Sequence, residues 1–345
     1  MQLETWQKEL RRCVSSIEGL NRYAPKGFLH SSQGLLGRND KGKDLMQEVV
    51  KNMRLSITPH TLKLIDWNDP RDPLLLMAVP RSRELDFSAD EVADPIGDDK
   101  CSPVPFLVHR YPDRALIHVN YVCAGCCRFC FRRSKTGRAN VGPSAKNRDD
   151  IVAYLKQHAE VEEAILSGGD PLMLADKELA NWIAHFKTVK TLRRIRIHTR
   201  LPVTLPSRIS PKLVRMLKSF QTNEFPIYMV THFNHPKEIA KENIDAIARL
   251  VDAGIVVRNQ SVLLKGVNDN LTVMRDLLRR LVDVRIVPYY IHQLDKAQGT
   301  SHFRVPVKDG IKLMKSLRGK VTGIALPKYV MDCPDGAGKI VMNDS

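Results

Sequence analysis

The chain has 345 residues, of which 43% are hydrophobic, so it is long enough for one large domain or two smaller ones. It contains no run of about 18 consecutive apolar residues, which argues against a membrane-spanning helix, and its polar N-terminus favours a cytoplasmic location. The formal net charge is +16, but without a long basic block we interpret most lysines and arginines as solvated surface rather than as a nucleic-acid interface.

The N-terminal part of the chain contains short helical patterns and loops. Apolar residues have helical spacing over residues 3–17, 43–53 and 59–65, and an acidic loop with several prolines occupies residues 86–104. We therefore assign residues 1–105 to an N-terminal helical region.

From residue 114 onward, short β-branched runs alternate with helical patterns. The runs lie at residues 115–122, 164–167, 195–199, 227–231, 256–263 and 286–291, and the helical patterns at 149–158, 177–186, 212–220, 243–253 and 271–281. After the first run they recur about every 30 residues, as βα units of a parallel sheet do. A complete eight-unit barrel needs about 250 residues, so the pattern predicts an α/β fold with a partial (β/α)6 barrel over residues 106–305. Ligands of such sheets bind at the carboxyl ends of the strands.

Four of the seven cysteines lie within residues 123–130, directly after the first predicted strand. The odd count and the clustering favour metal binding over a disulfide framework. With C-x3-C-x2-C spacing, Cys123, Cys127 and Cys130 can hold three irons of a [4Fe–4S] cluster and leave the fourth iron open. A C-x2-C-x3-C arrangement through Cys126 is the alternative, and we favour the first because of the aromatic Phe129. A closed zinc site would need Cys126 and Cys127 to face one metal, which adjacent residues rarely do.

Further polar motifs follow later strands. Residues 167–171 read Ser-Gly-Gly-Asp-Pro, a sequence that suits either close approach of the backbone to a ligand or a tight turn. His232 follows the fourth predicted strand, and Gln260 lies in the fifth. Buried polar groups need partners, and either a ligand or an internal network would supply them.

Together these motifs resemble the lysine 2,3-aminomutase family of radical S-adenosylmethionine (SAM) enzymes, which also use pyridoxal phosphate (PLP). The similarity extends over residues 50–341 and includes residues 109–114, the cysteine loop, and residues 167–171, 231–236, 259–269, 299–304 and 336–339. Residues 290–296 are similar to the aminomutases that make β-lysine for elongation factor P. By contrast, Asp332 and the Gly-Ala-Gly-Lys sequence ending at Lys339 resemble the longer lysine enzymes.

The resemblance implies a role for each motif. The cysteine triad would carry the [4Fe–4S] cluster, and Lys339 would hold PLP through its amine. Arg132 would pair with the substrate carboxylate, while Asp295 and Asp332 would bind its distal ammonium group, which favours L-lysine over glutamate. The remaining expected cofactor contacts are Arg110, Tyr111 and Arg114 for PLP, and Ser167, Gly168, Gly169, Asp170, His232 and Gln260, with the glycine loop and His232 on the SAM side.

The expected activity is an isomerase that converts L-lysine to β-lysine. A deoxyadenosyl radical would take hydrogen from C3, and the nitrogen would migrate from C2 to C3 with the help of PLP. The resemblance also implies an electron donor such as flavodoxin or ferredoxin, a homo-oligomer, for which a dimer is favoured, no additional zinc, and a C-terminal segment, residues 306–345, that carries Lys339. Whether the product serves elongation factor P or metabolism stays open.

Three alternatives remain at this point. The substrate could be another basic amino acid, because an acidic pair also suits a guanidinium. An RNA-modifying radical SAM enzyme would suit the net charge but gives no role to Lys339, Asp295 and Asp332. A zinc-binding nucleic-acid module leaves the βα region unexplained.

Overall fold

The protein is described here by a computed structural model that covers residues 3–25, 42–137 and 142–342, with only the backbone for residues 42–46. At its centre, this part of the chain forms a nine-stranded sheet in which the strands follow one another in chain order. The strands are β1 (Leu107–Tyr111), β2 (Arg114–Asn120), β3 (Glu163–Gly168), β4 (Arg194–His198), β5 (Ile227–Thr231), β6 (Val256–Leu263), β7 (Val287–Gln293), β8 (Lys328–Asp332) and β9 (Lys339–Val341). β2 to β8 run parallel, and β1 and β9 add an antiparallel strand at either end.

The described residues also form helices, of which those after residue 120 follow the parallel strands and cover one face of the sheet. They are α1 (Thr5–Leu10), α2 (Ile17–Leu20), α3 (Gly42–Asn52), α4 (Pro59–Leu64), α5 (Pro73–Ala78), α6 (Ala145–Gln157), α7 (Asp176–Lys187), α8 (Leu201–Thr204), α9 (Pro211–Phe220), α10 (Lys241–Asp252), α11 (Leu271–Asp283) and α12 (Val307–Leu317). Side-chain caps define where several begin: Ser144 accepts the Asn147 N–H at α6, and Asn270 accepts the Val273 N–H at α11. The main apolar core lies between these helices and the sheet.

The partial (β/α)6 barrel predicted from the sequence is confirmed, and the six predicted strands correspond to β2–β7. The structure adds β8 as a seventh parallel strand and the short edge strands β1 and β9. β8 is only five residues long and begins and ends with charged residues, so its apolar run was too short to recognise. The single helix expected over residues 3–17 is wrong beyond Leu10, because the backbone of Val14 pairs instead with Ile57 at N···O distances of 2.9 and 3.0 Å.

The N-terminal helices pack on the barrel loops that follow the carboxyl ends of the strands. A second apolar cluster joins Leu55, Leu62 and Leu75 of this region to Phe129 in the cysteine loop and Phe303 after β7. This packing places a layer of protein over the end of the barrel where ligands of such sheets bind. Within the described ranges, no helix is long and apolar enough to cross a membrane.

Candidate active site

A cavity of about 290 Å³ opens at the carboxyl ends of the parallel strands. Every site residue predicted from the sequence lines it. From the cysteine loop come Cys123, Cys127, Cys130 and Arg132; from β1, β2 and their turn Arg110, Tyr111 and Arg114; from the glycine loop Ser167, Gly168, Gly169 and Asp170; and from later strands and the loops after them His232, Gln260, Asp295, Asp332 and Lys339. The tertiary structure therefore brings together residues that are as much as 229 positions apart, counted from Arg110 to Lys339.

The cysteine loop directs three of its four thiols into this cavity. Cys126 instead lines a smaller pocket beside Ser56, whose carbonyl accepts the Cys126 N–H at 2.9 Å. Burial raises the pKa of Cys126 to about 12, and burial also raises the pKa of Cys123 and of Cys130. This placement favours the triad of Cys123, Cys127 and Cys130 over the arrangement through Cys126.

A guanidinium lies against the middle thiol of the triad. Arg200 Nη1 donates to Cys127 Sγ at 2.5 Å, and its Nη2 pairs with Glu238 at 2.6 Å. No three His, Cys, Asp or Glu side chains within the described ranges converge on one point as a single bound ion would require. An iron–sulfur cluster makes no such demand, because each thiolate binds a different iron.

The glycine loop packs against the backbone at the start of the cysteine loop. Gly168 has a φ of +116°, and a Cβ there would lie 2.1 Å from the Asn120 carbonyl oxygen; a Cβ at Gly169 would lie 2.4 Å from that of Val122. Asp170 accepts hydrogen bonds from Thr199 Oγ1 at 2.7 Å and from the Arg200 N–H at 2.7 Å. Burial raises the pKa of Asp170 to about 6. Because these glycines lack a side chain, the glycine loop and the cysteine loop can pack closely together in the cavity.

The expected PLP contacts surround Lys339. The Lys339 backbone N–H donates to the Tyr111 hydroxyl at 2.8 Å, and the Arg114 guanidinium lies 3.7 Å from the centre of the Tyr111 ring. Arg110 Nη2 donates to Asp98 at 2.9 Å, while its buried Nε has no hydrogen-bond partner in the part of the chain described. An unpartnered guanidinium N–H can donate to a phosphate, and a lysine amine in the same cavity can form an imine with an aldehyde, so this set of groups fits PLP.

Asp98, which sequence reasoning missed, connects two arginines of the site. Its Oδ1 accepts from Arg110, and its Oδ2 accepts from Arg132 Nε at 3.1 Å. Arg132 Nη1 also donates to Ser167 Oγ at 3.3 Å. Although burial disfavours the charge, the arginines hold the pKa of Asp98 below its usual value. Asp98 lies in the acidic loop at residues 86–104, where nothing distinguishes it from its neighbours in sequence.

The two carboxylates expected to bind an ammonium group have different surroundings. Asp332 Oδ1 accepts from Lys339 Nζ at 2.7 Å, and its Oδ2 lies 3.3 Å from His292 Nδ1. These partners hold the pKa of Asp332 below its usual value despite its burial. Burial and the nearby charge of Asp332 raise the pKa of Asp295 to about 7. A cation that enters the cavity would therefore stabilise the charged form of Asp295 more than that of Asp332, which already pairs with Lys339.

Three cavity histidines have a buried Nε2 without a hydrogen-bond partner among the described residues: His198, His232 and His292. Burial lowers the pKa of each one, so the rings are neutral near pH 7. Only His232 was predicted. His198 and His292 lie at the carboxyl-terminal ends of β4 and β7. His198 is within the predicted run at residues 195–199 and His292 directly follows the one at 286–291, and this position was the signal that could have identified them.

The fold and the cysteine triad define the class of protein. The chain matches the Radical SAM superfamily over residues 117–278. A solved radical SAM methyltransferase from Sphaerobacter thermophilus superposes with a TM-score of 0.49 and 20% identity, over 67% of this chain and 71% of that one.

Two relatives identify the family within this class of enzymes. The L-lysine 2,3-aminomutase of Clostridium subterminale is 40% identical over 334 residues, which are 97% of this chain and 76% of that protein. The glutamate 2,3-aminomutase of Clostridioides difficile is 38% identical over 299 residues, which are 87% of this chain and 70% of that protein. The chain belongs to the lysine 2,3-aminomutase family. It is a radical SAM isomerase, and the cofactors of this family are a [4Fe–4S] cluster, SAM and PLP.

Proposed function

We propose that the protein is an L-lysine 2,3-aminomutase that converts L-lysine to β-lysine. The observation that carries the proposal is the pair of acidic side chains in the cavity, above all Asp295, whose pKa is raised to about 7 by burial and by Asp332. A buried carboxylate without a cation is costly, and an incoming ammonium group removes that cost.

The same pair argues against glutamate as the substrate. The side chain of glutamate ends in a carboxylate, which would meet Asp295 and Asp332 as a third negative charge in a buried site. Like charges at close range disfavour binding and force protonation of one of them. The similar sequence identities to a lysine enzyme and a glutamate enzyme do not separate the two substrates, whereas the charge of the cavity favours lysine.

Each cofactor has a set of residues that would hold it. Cys123, Cys127 and Cys130 would bind the cluster, Lys339 would bind PLP, and the glycine loop would contact SAM. When bound, the cluster and SAM supply a carbon-centred radical that takes hydrogen from the substrate, and PLP supplies the carbonyl carbon that carries the migrating nitrogen. The further cofactor contacts would be Arg110, Tyr111, Arg114, His232 and Gln260.

The protein's own side chains would bind and orient the substrate. Arg132 would bind the α-carboxylate with its Nη atoms, because Asp98 occupies its Nε. The acidic pair would bind the opposite end of lysine, so the substrate would be held at both ends and its C3 placed between them. The N-terminal layer over the barrel would exclude water, which protects a radical from side reactions.

The partners are part of the same proposal. A flavodoxin or ferredoxin would supply the electron, and the net charge of +16 suits an acidic donor. We propose a homodimer, as the family resemblance implies. We also propose β-lysine for elongation factor P as one use of the product, on the basis of the resemblance of residues 290–296.

The direct test is turnover by the protein purified without oxygen. After reconstitution of the cluster, PLP, SAM, dithionite and L-lysine are added, and β-lysine is measured by mass spectrometry, with arginine, ornithine and glutamate in parallel. We expect β-lysine from the wild type and from Cys126→Ala, and none from Cys127→Ala or Lys339→Ala.

Two results would contradict the proposal. Isomerisation of arginine or ornithine in preference to lysine would keep the chemistry and change the substrate. Cleavage of SAM without isomerisation of any amino acid would leave a radical SAM enzyme that is not an aminomutase, and RNA would be the next substrate to test.

A further inference from the structure

Arg200 connects the cysteine loop to the loop that follows β5. It lies two residues after β4, and its side chain is 15% exposed. Its Nη1 donates to Cys127 Sγ, its Nε donates to the His232 carbonyl at 3.2 Å, and its Nη2 donates to Glu238 Oε1 at 2.6 Å. Within the described ranges, neither of the other two triad thiols has a hydrogen bond from a cationic side chain. The guanidinium of Arg200 thus contacts one thiol of the triad and not the other two.

Glu238 fixes the position of this guanidinium. It is 4% exposed, and its Oε2 accepts from the backbone N–H groups of Asn234 and His235 at 2.6 and 3.0 Å, which leaves Oε1 for Arg200. At the other end of the residue, the Arg200 backbone N–H donates to Asp170 at 2.7 Å. Because both the backbone and the tip of Arg200 are held, the protein itself directs Nη1 at the sulfur.

A charged donor next to a ligand sulfur affects how readily a cluster accepts an electron. Hydrogen bonds to the sulfurs are one of the factors that set the reduction potential of an iron–sulfur cluster. Reduction adds one negative charge to the cluster and its thiolates, and a buried cation or N–H donor stabilises that charge. Glu238 pairs with Nη2 rather than with Nη1, so the cation and not the anion is next to the sulfur of Cys127.

We propose that Arg200, oriented by Glu238, donates to the Cys127 thiolate in the cluster-bound protein and thereby raises the reduction potential of the cluster. Arg200 is then a positioning residue for the entry of the electron, which comes from the external reductant and neither forms nor breaks a bond in the protein. The inference rests on the proposed role of Cys127 as a cluster ligand. It does not depend on which amino acid is the substrate.

Two other roles for Arg200 make different predictions. If the arginine only joins two loops through its ion pair with Glu238, its replacement lowers stability and leaves the potential unchanged. If it only binds the carboxylate of SAM, its replacement lowers the affinity for SAM and again leaves the potential of the SAM-free protein unchanged. The reduction potential measured without SAM therefore separates the proposed role from both.

Two substitutions of Arg200 and one matched control test the bond. Arg200→Met keeps an unbranched side chain of similar reach and removes the charge and every donor. Arg200→Lys keeps a cation for Glu238, but an ammonium lacks the planar fork that reaches the carboxylate and the sulfur together. The control is Arg196→Met, since Arg196 also forms a buried pair, with Glu163 at 2.8 and 2.7 Å. Glu163 is the first residue of β3, so this pair lies at the end of the sheet opposite the cysteine loop.

The experiment is a redox titration of the protein reconstituted with cluster and PLP, without SAM, in which the reduced cluster is followed by electron paramagnetic resonance. A hydrogen bond from a charged group typically changes an equilibrium by about 10- to 100-fold. We therefore expect the potential of Arg200→Met to fall by at least about 59 mV, which is tenfold in the equilibrium constant for one electron. Arg200→Lys should fall by a smaller amount, and Arg196→Met should keep the wild-type potential.

Iron analysis and thermal melting establish that each variant is folded and carries its cluster. A wild-type potential in Arg200→Met overturns the inference, whether or not the affinity for SAM falls. An equal fall in Arg196→Met also overturns it, because any cation of the cavity would then have the same effect. If Arg200→Met does not assemble a cluster, Arg200→Lys decides, since it keeps the counter-charge of Glu238: a lower potential supports the inference and an unchanged one overturns it.

Failure of the proposed function would give a different result. A Cys127→Ala protein that assembles a complete [4Fe–4S] cluster would remove Cys127 from the proposed ligands, independently of any change at Arg200. Absence of β-lysine as a product would contradict the proposed reaction but would leave the potentials of the variants unaffected, because no substrate is present in the titration.

Discussion

Asp295 shows, at the scale of one residue, that a group kept for binding can lower the stability of the folded protein. Its carboxyl group is surrounded by protein and by the negative charge of Asp332, and burial is the larger cause of its raised pKa. An aspartate exposed on the surface would not lower the stability of the folded protein in this way. A buried one is retained where a ligand of opposite charge compensates it.

This situation makes the stability of the ligand-free protein depend on pH at Asp295. The pKa is about 7 in the folded protein, whereas an ordinary aspartate has a pKa of 3.8, so between these pH values the folded state holds a proton that the unfolded chain has released. The stabilising effect of that proton is complete below about pH 4 and is lost as the pH rises through 7. We expect Asp295→Asn to melt about 2–4 °C higher than the wild type at pH 8 and at the same temperature at pH 4.5, measured by thermal melts without PLP.

Exposed Asp309 in α12 provides the control for this comparison. Asp309→Asn should show no gain that grows with pH. A gain of equal size for Asp295→Asn at both pH values would mean that the substitution stabilises the protein by a route other than removal of a buried charge.

At the scale of secondary-structure elements, the hairpin of β8 and β9 assembles the part of the site that the sequence analysis placed in a loosely defined C-terminal segment. Antiparallel pairing puts Asp332 directly opposite Lys339. The turn between them depends on Gly336 and Gly338, with φ values of +85° and +106°. The Gly338 carbonyl accepts the Cys333 N–H at 2.7 Å and thereby closes the turn.

Gly338→Ala tests whether this hairpin positions Lys339. A Cβ at Gly338 would lie 2.8 Å from the ring and the hydroxyl oxygen of Tyr111, so β9 would have to move and the contact between Tyr111 and the Lys339 N–H would be lost. We expect affinity for PLP, measured by absorbance titration, to fall about tenfold or more, which corresponds to the loss of one or two hydrogen bonds.

Gly319→Ala is the matched control, because Gly319 has a φ of +74° but a Cβ there meets no atom within 4 Å. It should carry the cost of the backbone conformation alone, about 1 kcal/mol of stability, and bind PLP normally. Equal loss of PLP affinity in both variants would show that backbone strain, and not the displacement of β9, is responsible.

At the scale of the whole molecule, a buried ion cluster attaches the N-terminal layer to the cysteine loop. Glu84, 2% exposed, accepts from Arg128 at 2.8 and 2.6 Å and from Arg133 at 2.6 Å. Arg128 also donates to the Met53 and Arg54 carbonyls. Two loops and one helix end are therefore linked through a single carboxylate.

Removal of this carboxylate should be among the most damaging substitutions in the protein. Glu84→Gln leaves two buried guanidinium groups without their counter-charge, and we expect the free energy of unfolding in urea to fall by about 3–5 kcal/mol. Glu242→Gln, which removes the exposed pair with Lys63, should cost less than about 1 kcal/mol. A loss below 1 kcal/mol for Glu84→Gln would mean that water or another acceptor replaces the carboxylate.

The sequence by itself determined the class of fold and the chemistry available to the protein. The recurrence of apolar runs and helical patterns predicted β2–β7, because hydrophobic periodicity is a local property that burial imposes on each element. Clustered cysteines, paired glycines and a glycine-flanked lysine are also local signals, and their residue types restrict the chemistry. The roles of the predicted site residues in catalysis stay predictions, although those residues all line one cavity.

Only the tertiary structure decided how the parts combine. The orientation of Cys126 away from the cavity, the bridge from Asp98 to two arginines, and the contact of His292 with Asp332 depend on residues far apart in the chain. The short strand β8 and the pairing that sets Asp332 opposite Lys339 are likewise long-range features. Such contacts leave no periodic trace in a sequence, because they are selected by geometry and charge after the elements have packed.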